Sequence, residues 1–432
     1  MAPRCQIRSA LPPPTHPDGG LCTAVCHQDD GALIKLRHPG YPDTKNVLLV
    51  FPALDPIIAD DSDDGDNVNA NNADSADNTN NSNNTKAMFG LHCETARIAC
   101  AIAANNRWDG FLSTNKATDA TPLPLLPDEI LPAGSYYFHV PWLGDASSAA
   151  AALPYPVVPS FANFQFPHDN LPSLWAAMRI PRHRGDTQPR PSSFDQVVLA
   201  RDVSCRISQS IFGTESAHLV PRMENSWFNA NGMLLYSSRP SIPTAISVDD
   251  PRNVLLLRSD LHHLFDQGRF VLVPKEGIWV VHILSGLPEE ELAALYHNVC
   301  LQPLSGLSVE FLFARFAWTV LAQLSQGIFL QAGVNRQLVT VQGDSVLTKM
   351  WSGPDCLVQF TAAKSRSQSP KKRIGTGSEN QDGDDDDGED ACTDGDYNDI
   401  DGRGRKRWRS SSSPSSVGSS LLESPLVNRE EG

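Results

Sequence analysis

Short apolar runs separated by proline, glycine and acidic turns recur along this chain, and their period switches between two residues and nearly four. The run NVLLVFPAL, Asn46 to Leu54, is apolar almost throughout and predicts a buried strand. From Leu91 to Asn105 the spacing changes. Leu91, Thr95, Ile98 and Ile102 fall on one helical face with alanines around them, which predicts a core helix. Tyr136 to Trp142 (YYFHVPW) alternates and stops at a proline, as a strand does. Residues 150–192, studded with prolines and aromatics, predict an irregular connection packed on a core. Phe270–Val273 and Ile278–Ile283 flank Pro274-Lys275-Glu276-Gly277 and predict a hairpin. Leu287 to Leu301 predicts a helix, with Pro288 at its first position and glutamates in the first turn, where the helix dipole favours them. Ser308 is placed to cap a second helix, Val309 to Leu324, apolar on most sides and therefore central. Mixed, unalternating helices and strands make the fold class α+β.

Two stretches cannot pack at all. Asp60 to Thr85 holds seven Asp and nine Asn with almost nothing to bury, so a disordered insert at 60–85 is expected. Its opening Asp60, Ser62, Asp64 and Gly65 imitate a calcium loop, but Asn71 stands where the closing Glu belongs. From 364 to 432 the chain is rich in Ser, Asp and Gly and reads as a disordered tail. Basic clusters at 371–373 and 403–409 make nuclear import an open alternative to a merely solvated tail. Around these, the expected organisation is a loose leader at 1–30, an N-terminal α+β region at 31–192, a site-bearing domain at 193–285 and a helical extension at 286–360.

The net charge of −15 argues against a simple nucleic-acid binder, but much of it sits in the two acidic low-complexity stretches. Residues 195–345 carry ten basic and fourteen acidic side chains, and nine of the ten basic ones are arginine, the residue suited to phosphate. Nine cysteines show no paired framework and no second pair at zinc-finger spacing, which suits reduced thiols in an intracellular protein. The first 20 residues lack a secretory apolar core, and no run approaches the ~18 apolar residues that span a bilayer. A soluble protein without membrane partners is expected.

One segment arranges catalytic residue types in order. His218 lies in Ala217-His218-Leu219-Val220-Pro221, where the proline ends any strand. Asn253 follows the turn-forming Asp249-Asp250-Pro251-Arg252 and starts the apolar run Val254–Leu257, from which its amide can reach back to the His218 segment. An ordinary Asx turn is the alternative. Ser259 or Asp260 can cap a short helix carrying His262 and Asp266, four residues apart and so on one face. His263 is about 100° around that helix. Phosphodiester hydrolysis needs an activated water, a Lewis acid on phosphate and a stabilised leaving oxygen. A neutral histidine and a divalent ion on a His/Asp pair cover those needs.

Histidine, asparagine on a strand, and His-x-x-x-Asp on a helix resemble the HNH endonuclease family. In particular they resemble the version found in many fungal proteins. Arg201-Asp202, Cys205, AHLVP, Trp227-Phe228, Asn231-Gly232-Met233 and LRSDLHHLFD (257–266) carry the likeness, which extends to YHN (296–298) and LFARFAW (312–318). The resemblance implies a ββα-metal core embedded in a larger mixed domain. It also implies His218 as base, Asn253 as positioning residue, and His262 and Asp266 as ligands of one divalent ion. Mg2+ is favoured, with Mn2+ or Zn2+ as alternatives. Arg222, Arg258 and His263 are the candidates to meet substrate, with DNA favoured over RNA. Many HNH enzymes carry a metal ligand directly before the base, and here that position is Ala217, leaving water, phosphate or Glu215 to complete the shell. The competing reading is a non-catalytic HNH-fold scaffold that binds nucleic acid or protein through Arg222, Arg252, Arg258 and Arg269.

Overall fold

The computed structural model describes residues 3–12, 33–57, 88–141, 154–183, 194–238, 247–285, 291–343 and 345–361. The 60–85 insert, the tail from 364 and most of the leader lie outside them, as do the basic clusters. All described residues belong to one compact unit within residues 1–369.

In chain order, β1 (Leu33–Arg37), β2 (Val47–Pro52), β3 (Asp55–Ile57) and β4 (Met88–His92) lead into α1 (Cys93–Ala103), then β5 (Phe111–Ser113), β6 (Ile130–Pro132) and β7 (Gly134–His139). They form a four-stranded sheet in the order β2-β1-β7-β5 and a three-stranded sheet β3-β4-β6. The apolar run at 46–54 is indeed a strand, with Leu48, Leu49 and Phe51 buried. The helix expected from Leu91 begins two residues later. Leu91 and His92 are held in β4 by pairing with Leu131 and Ile130, and the His92 ring accepts the Thr95 N–H as the helix N-cap. The buried His92 is therefore structural.

The proline-rich connection, with α2 (Ser173–Ala176), packs its aromatics inward. Phe161 lies 4.1 Å from Trp227, whose indole N–H donates to Phe164 O at 2.7 Å. Then come α3 (Phe194–Asp202), β8 (Thr214–His218), α4 (Asn225–Ala230), β9 (Val254–Arg258) and α5 (Ser259–Asp266). The hairpin β10 (Phe270–Lys275) and β11 (Ile278–Ile283) turns at Glu276-Gly277, both at positive φ, the two-residue geometry that matches strand twist.

Residues 286–290 lie outside the described set, and α6 (Glu291–Tyr296) is shorter than its apolar stripe predicted. Asn298 adopts φ +59°, and Val299 O accepts the Val281 N–H instead of continuing the helix. The central α7 (Val309–Gln326) buries Phe311, Phe313, Phe316, Val320 and Leu324, as its all-round apolar pattern requires. Ser308 does sit at its N-cap, but its hydroxyl donates to Glu310 rather than capping the backbone. After α8 (Ile328–Gln331), the extension expected to be helical contains a hairpin, β12 (Arg336–Gln342) and β13 (Ser345–Trp351), before α9 (Gly353–Thr361). The β-branched run Val339-Thr340-Val341 and the positive φ of Gly343 favour the strand pair there.

Candidate active site

β8 and β9 pair antiparallel from Thr214↔Arg258 to His218↔Val254, and α5 follows β9 without a spacer. Strand, long connection, strand and helix is the arrangement the motif called for. The outer edge of β9 is occupied by side chains. Asp202 Oδ2 accepts the Leu256 N–H at 2.8 Å, and Arg201 donates to the Val254 and Pro251 carbonyls. The two residues also form a buried bidentate pair, so an exposed strand edge becomes a closed one.

Asn253 is fully buried and pins the connection. Its Nδ2 donates to Val220 O and Val248 O, both at 3.0 Å, while its Oδ1 accepts the Val220 N–H at 2.9 Å. The reach back to the histidine loop is therefore present, but it comes from the turn Pro251–Asn253 just ahead of β9 and not from the strand itself. Asp250 caps the turn before it by accepting the Arg252 N–H.

Two clusters of polar side chains result. In the first, His218 Nε2 lies 2.9 Å from Asp249 Oδ1, and Arg222 grips the same carboxylate through two bonds. Burial pushes the His218 pKa below its ordinary value, assisted by the nearby Arg222 and His262, against the pull of Asp249. In the second, His262 sits between two carboxylates, with Nδ1 2.8 Å from Glu215 Oε2 and Nε2 3.3 Å from Asp266 Oδ2. Glu215 and Ala217 project from the same face of β8, two residues apart. Ala217 is buried and inert, and the acid one pleat earlier reaches His262 instead.

The donor chemistry of this second cluster fits a divalent ion. An imidazole that binds a metal through one nitrogen gives its other N–H to a carboxylate. His262 has one carboxylate on each side, and both acids are more than half exposed, leaving room for water in the shell. The two remaining candidates stand apart. Arg258 is held by Asp260 and the Tyr296 hydroxyl at the opposite end of β9 from His218. His263 is exposed and pairs with Gln267 along the helix.

Asp249 was legible only as part of a turn-forming group, and Arg315 only as one letter of LFARFAW, with nothing to place it at the site. The Arg315 guanidinium, buried on α7, donates to Phe265 O at the end of α5 and approaches Leu219 O at 3.5 Å. It also stacks over the Phe265 ring at 3.7 Å. Burial lowers its pKa to about 9, against the attraction of Asp266. One buried cation thus touches the backbone beside both clusters.

A histidine on one strand, an asparagine in the turn that opens the next and a histidine on the helix that follows give the layout of a ββα nuclease domain. Residues 202–273 match the family described as HNH endonuclease, about a sixth of the chain. No curated protein and no solved structure matches it. HNH domains generally act on nucleic acid with a divalent ion. Among the described residues, no helix is long and apolar enough to cross a membrane.

Proposed function

We propose that the protein is a metal-dependent endonuclease that hydrolyses phosphodiester bonds, with DNA as the favoured substrate. The observation that carries this reading is the pairing of a carboxylate-held histidine on β8 with a carboxylate-flanked histidine on α5. A histidine whose Nε2–H donates to Asp249 carries its lone pair on Nδ1, where it can take a proton from the attacking water. The lowered pKa of His218 keeps the ring neutral at physiological pH, the form a base requires. Asp249 also stabilises the imidazolium once the proton is taken. Asn253 acts at one remove, by holding the loop that follows His218.

On this reading His262 Nε2 and Asp266 hold the ion, Mg2+ being favoured, and Glu215 accepts the other ring proton and fixes the tautomer. The bound ion would supply Lewis-acid stabilisation of charge on the phosphate and the leaving oxygen. Arg222, tied to the His218–Asp249 pair and 62% exposed, is the arginine placed to meet a phosphate there.

Nicking of supercoiled plasmid beside calorimetry of metal binding tests the assignment. His218→Ala should abolish cleavage at every metal concentration and leave metal affinity nearly unchanged. His262→Ala or Asp266→Ala should weaken metal binding, with cleavage partly restored by more metal. Equal loss of metal affinity in all three variants would make His218 a ligand. Wild-type protein that binds nucleic acid without cutting it under any divalent metal would favour the scaffold reading instead.

A further inference from the structure

A second polar cluster lies away from the candidate nuclease site, where four distant parts of the chain meet in the core. Asp55 on β3 is fully buried, and its Oδ1 receives Cys5 Sγ at 3.2 Å, His297 Nε2 at 3.2 Å and Lys275 Nζ at 3.3 Å, together with the Asn298 amide. His282 on β11 faces the same point. Ligand atoms of Asp55, His282 and His297 all lie within 4.8 Å of one another.

The most informative member is His282. It is completely buried, yet neither of its ring nitrogens has a hydrogen-bond partner among the described residues. A buried imidazole with both nitrogens idle forfeits its hydration and gains nothing in return. Its neighbours are the donor types that zinc prefers, imidazole, carboxylate and thiol. We propose that Asp55, His282 and His297 hold one structural zinc ion, with Cys5, which touches the Asp55 carboxylate but lies outside that triad, closing in as the fourth ligand.

Zinc capture by Cys5 exchanges the thiol proton for the metal and releases that proton to solvent. The Asp55 carboxylate and the Cys5 thiolate then offset the dication, and the buried Lys275 ammonium is left as the one uncompensated charge, so removing it should favour the ion. Lys275 keeps its contact with Asn298 Oδ1, 2.7 Å away, and donates to the thiolate, from which it now stands 3.5 Å. Binding through His297 Nε2 moves the ring proton to Nδ1 and gives up one long contact, from the Ile283 N–H at 3.3 Å. The alternative is that Lys275 is the permanent cation of a metal-free network, and the two forms differ in what the protein binds.

The experiment uses the full chain carrying His262→Ala and Asp266→Ala, so that the candidate nuclease metal is excluded and failure of the nuclease reading leaves the result untouched. After chelation, cobalt titration should saturate at one equivalent with the intense visible bands of a tetrahedral ion and a thiolate-to-cobalt band in the near ultraviolet. Zinc should abolish both, and protein as purified should contain one zinc per chain. Adding His282→Ala should remove the bound equivalent, and Lys275→Met should retain or tighten it. If His282→Ala fails to fold, the titration of the parent protein decides alone. Cobalt that stays hydrated and octahedral would overturn the site and leave Lys275 as the resident cation. Unchanged cobalt binding in His282→Ala would also overturn it, and tetrahedral bands without the thiolate band would remove Cys5 from the set.

Discussion

Asn253→Ala is the sharpest test of how the β8–β9 unit is held together. The side chain makes three hydrogen bonds to buried backbone groups of Val220 and Val248, at 2.9 to 3.0 Å. A buried hydrogen bond contributes ~1 kcal/mol net, and a buried group left without a partner costs ~1–3 kcal/mol. Truncation strands the Val220 N–H and two carbonyls in a site with no exposure, so the expected loss is about 3–6 kcal/mol. Asn253→Asp should be at least as damaging, because it turns a donor into a carboxylate facing two carbonyl oxygens. By contrast, His218→Ala breaks the hydrogen bond to a carboxylate that Arg222 continues to hold, so it should cost less, about 1–2 kcal/mol. Urea unfolding measures the difference, as a lowered midpoint with unchanged slope. An Asn253→Ala protein within ~0.5 kcal/mol of wild type would refute the pinning role. The tightly held loop would then owe its place to packing alone.

Three further outcomes follow from the geometry. The rate of cleavage should fall as pH drops through the pKa of His218, which burial places below its ordinary value of 6.5, so the acid limb lies under that pH. Asp249→Asn removes the carboxylate that raises this pKa. The limb should therefore move to still lower pH while the plateau rate drops, and an unmoved limb in a pH–rate profile would show that Asp249 does not act on the base. Arg315→Met loses the guanidinium bonds to the Phe265 and Leu219 carbonyls, and ~1–3 kcal/mol of stability should go with them. An unchanged urea midpoint would mean that α7 holds the site by apolar packing only.

Local sequence carried the parts of the site that local physics controls. The turn Asp249–Arg252 sets the start of β9, and four-residue spacing puts His262 and Asp266 on one face of α5, whereas β8 ends at His218, three residues before the proline expected to stop it. The order of these residues also carried the resemblance to HNH endonucleases. What it could not carry was partnership. Asp249 reaches His218 across 31 residues, Glu215 reaches His262 across 47, and Arg315 reaches Leu219 across 96. These contacts depend on strand register and on where α7, packed on β10, brings Arg315, neither of which has a period in the sequence. The same holds for the boundaries that moved. His92 stays in a strand because Ile130 pairs with it from 38 residues away. Periodicity reports the face a residue turns inward, and only the assembled chain decides what waits there.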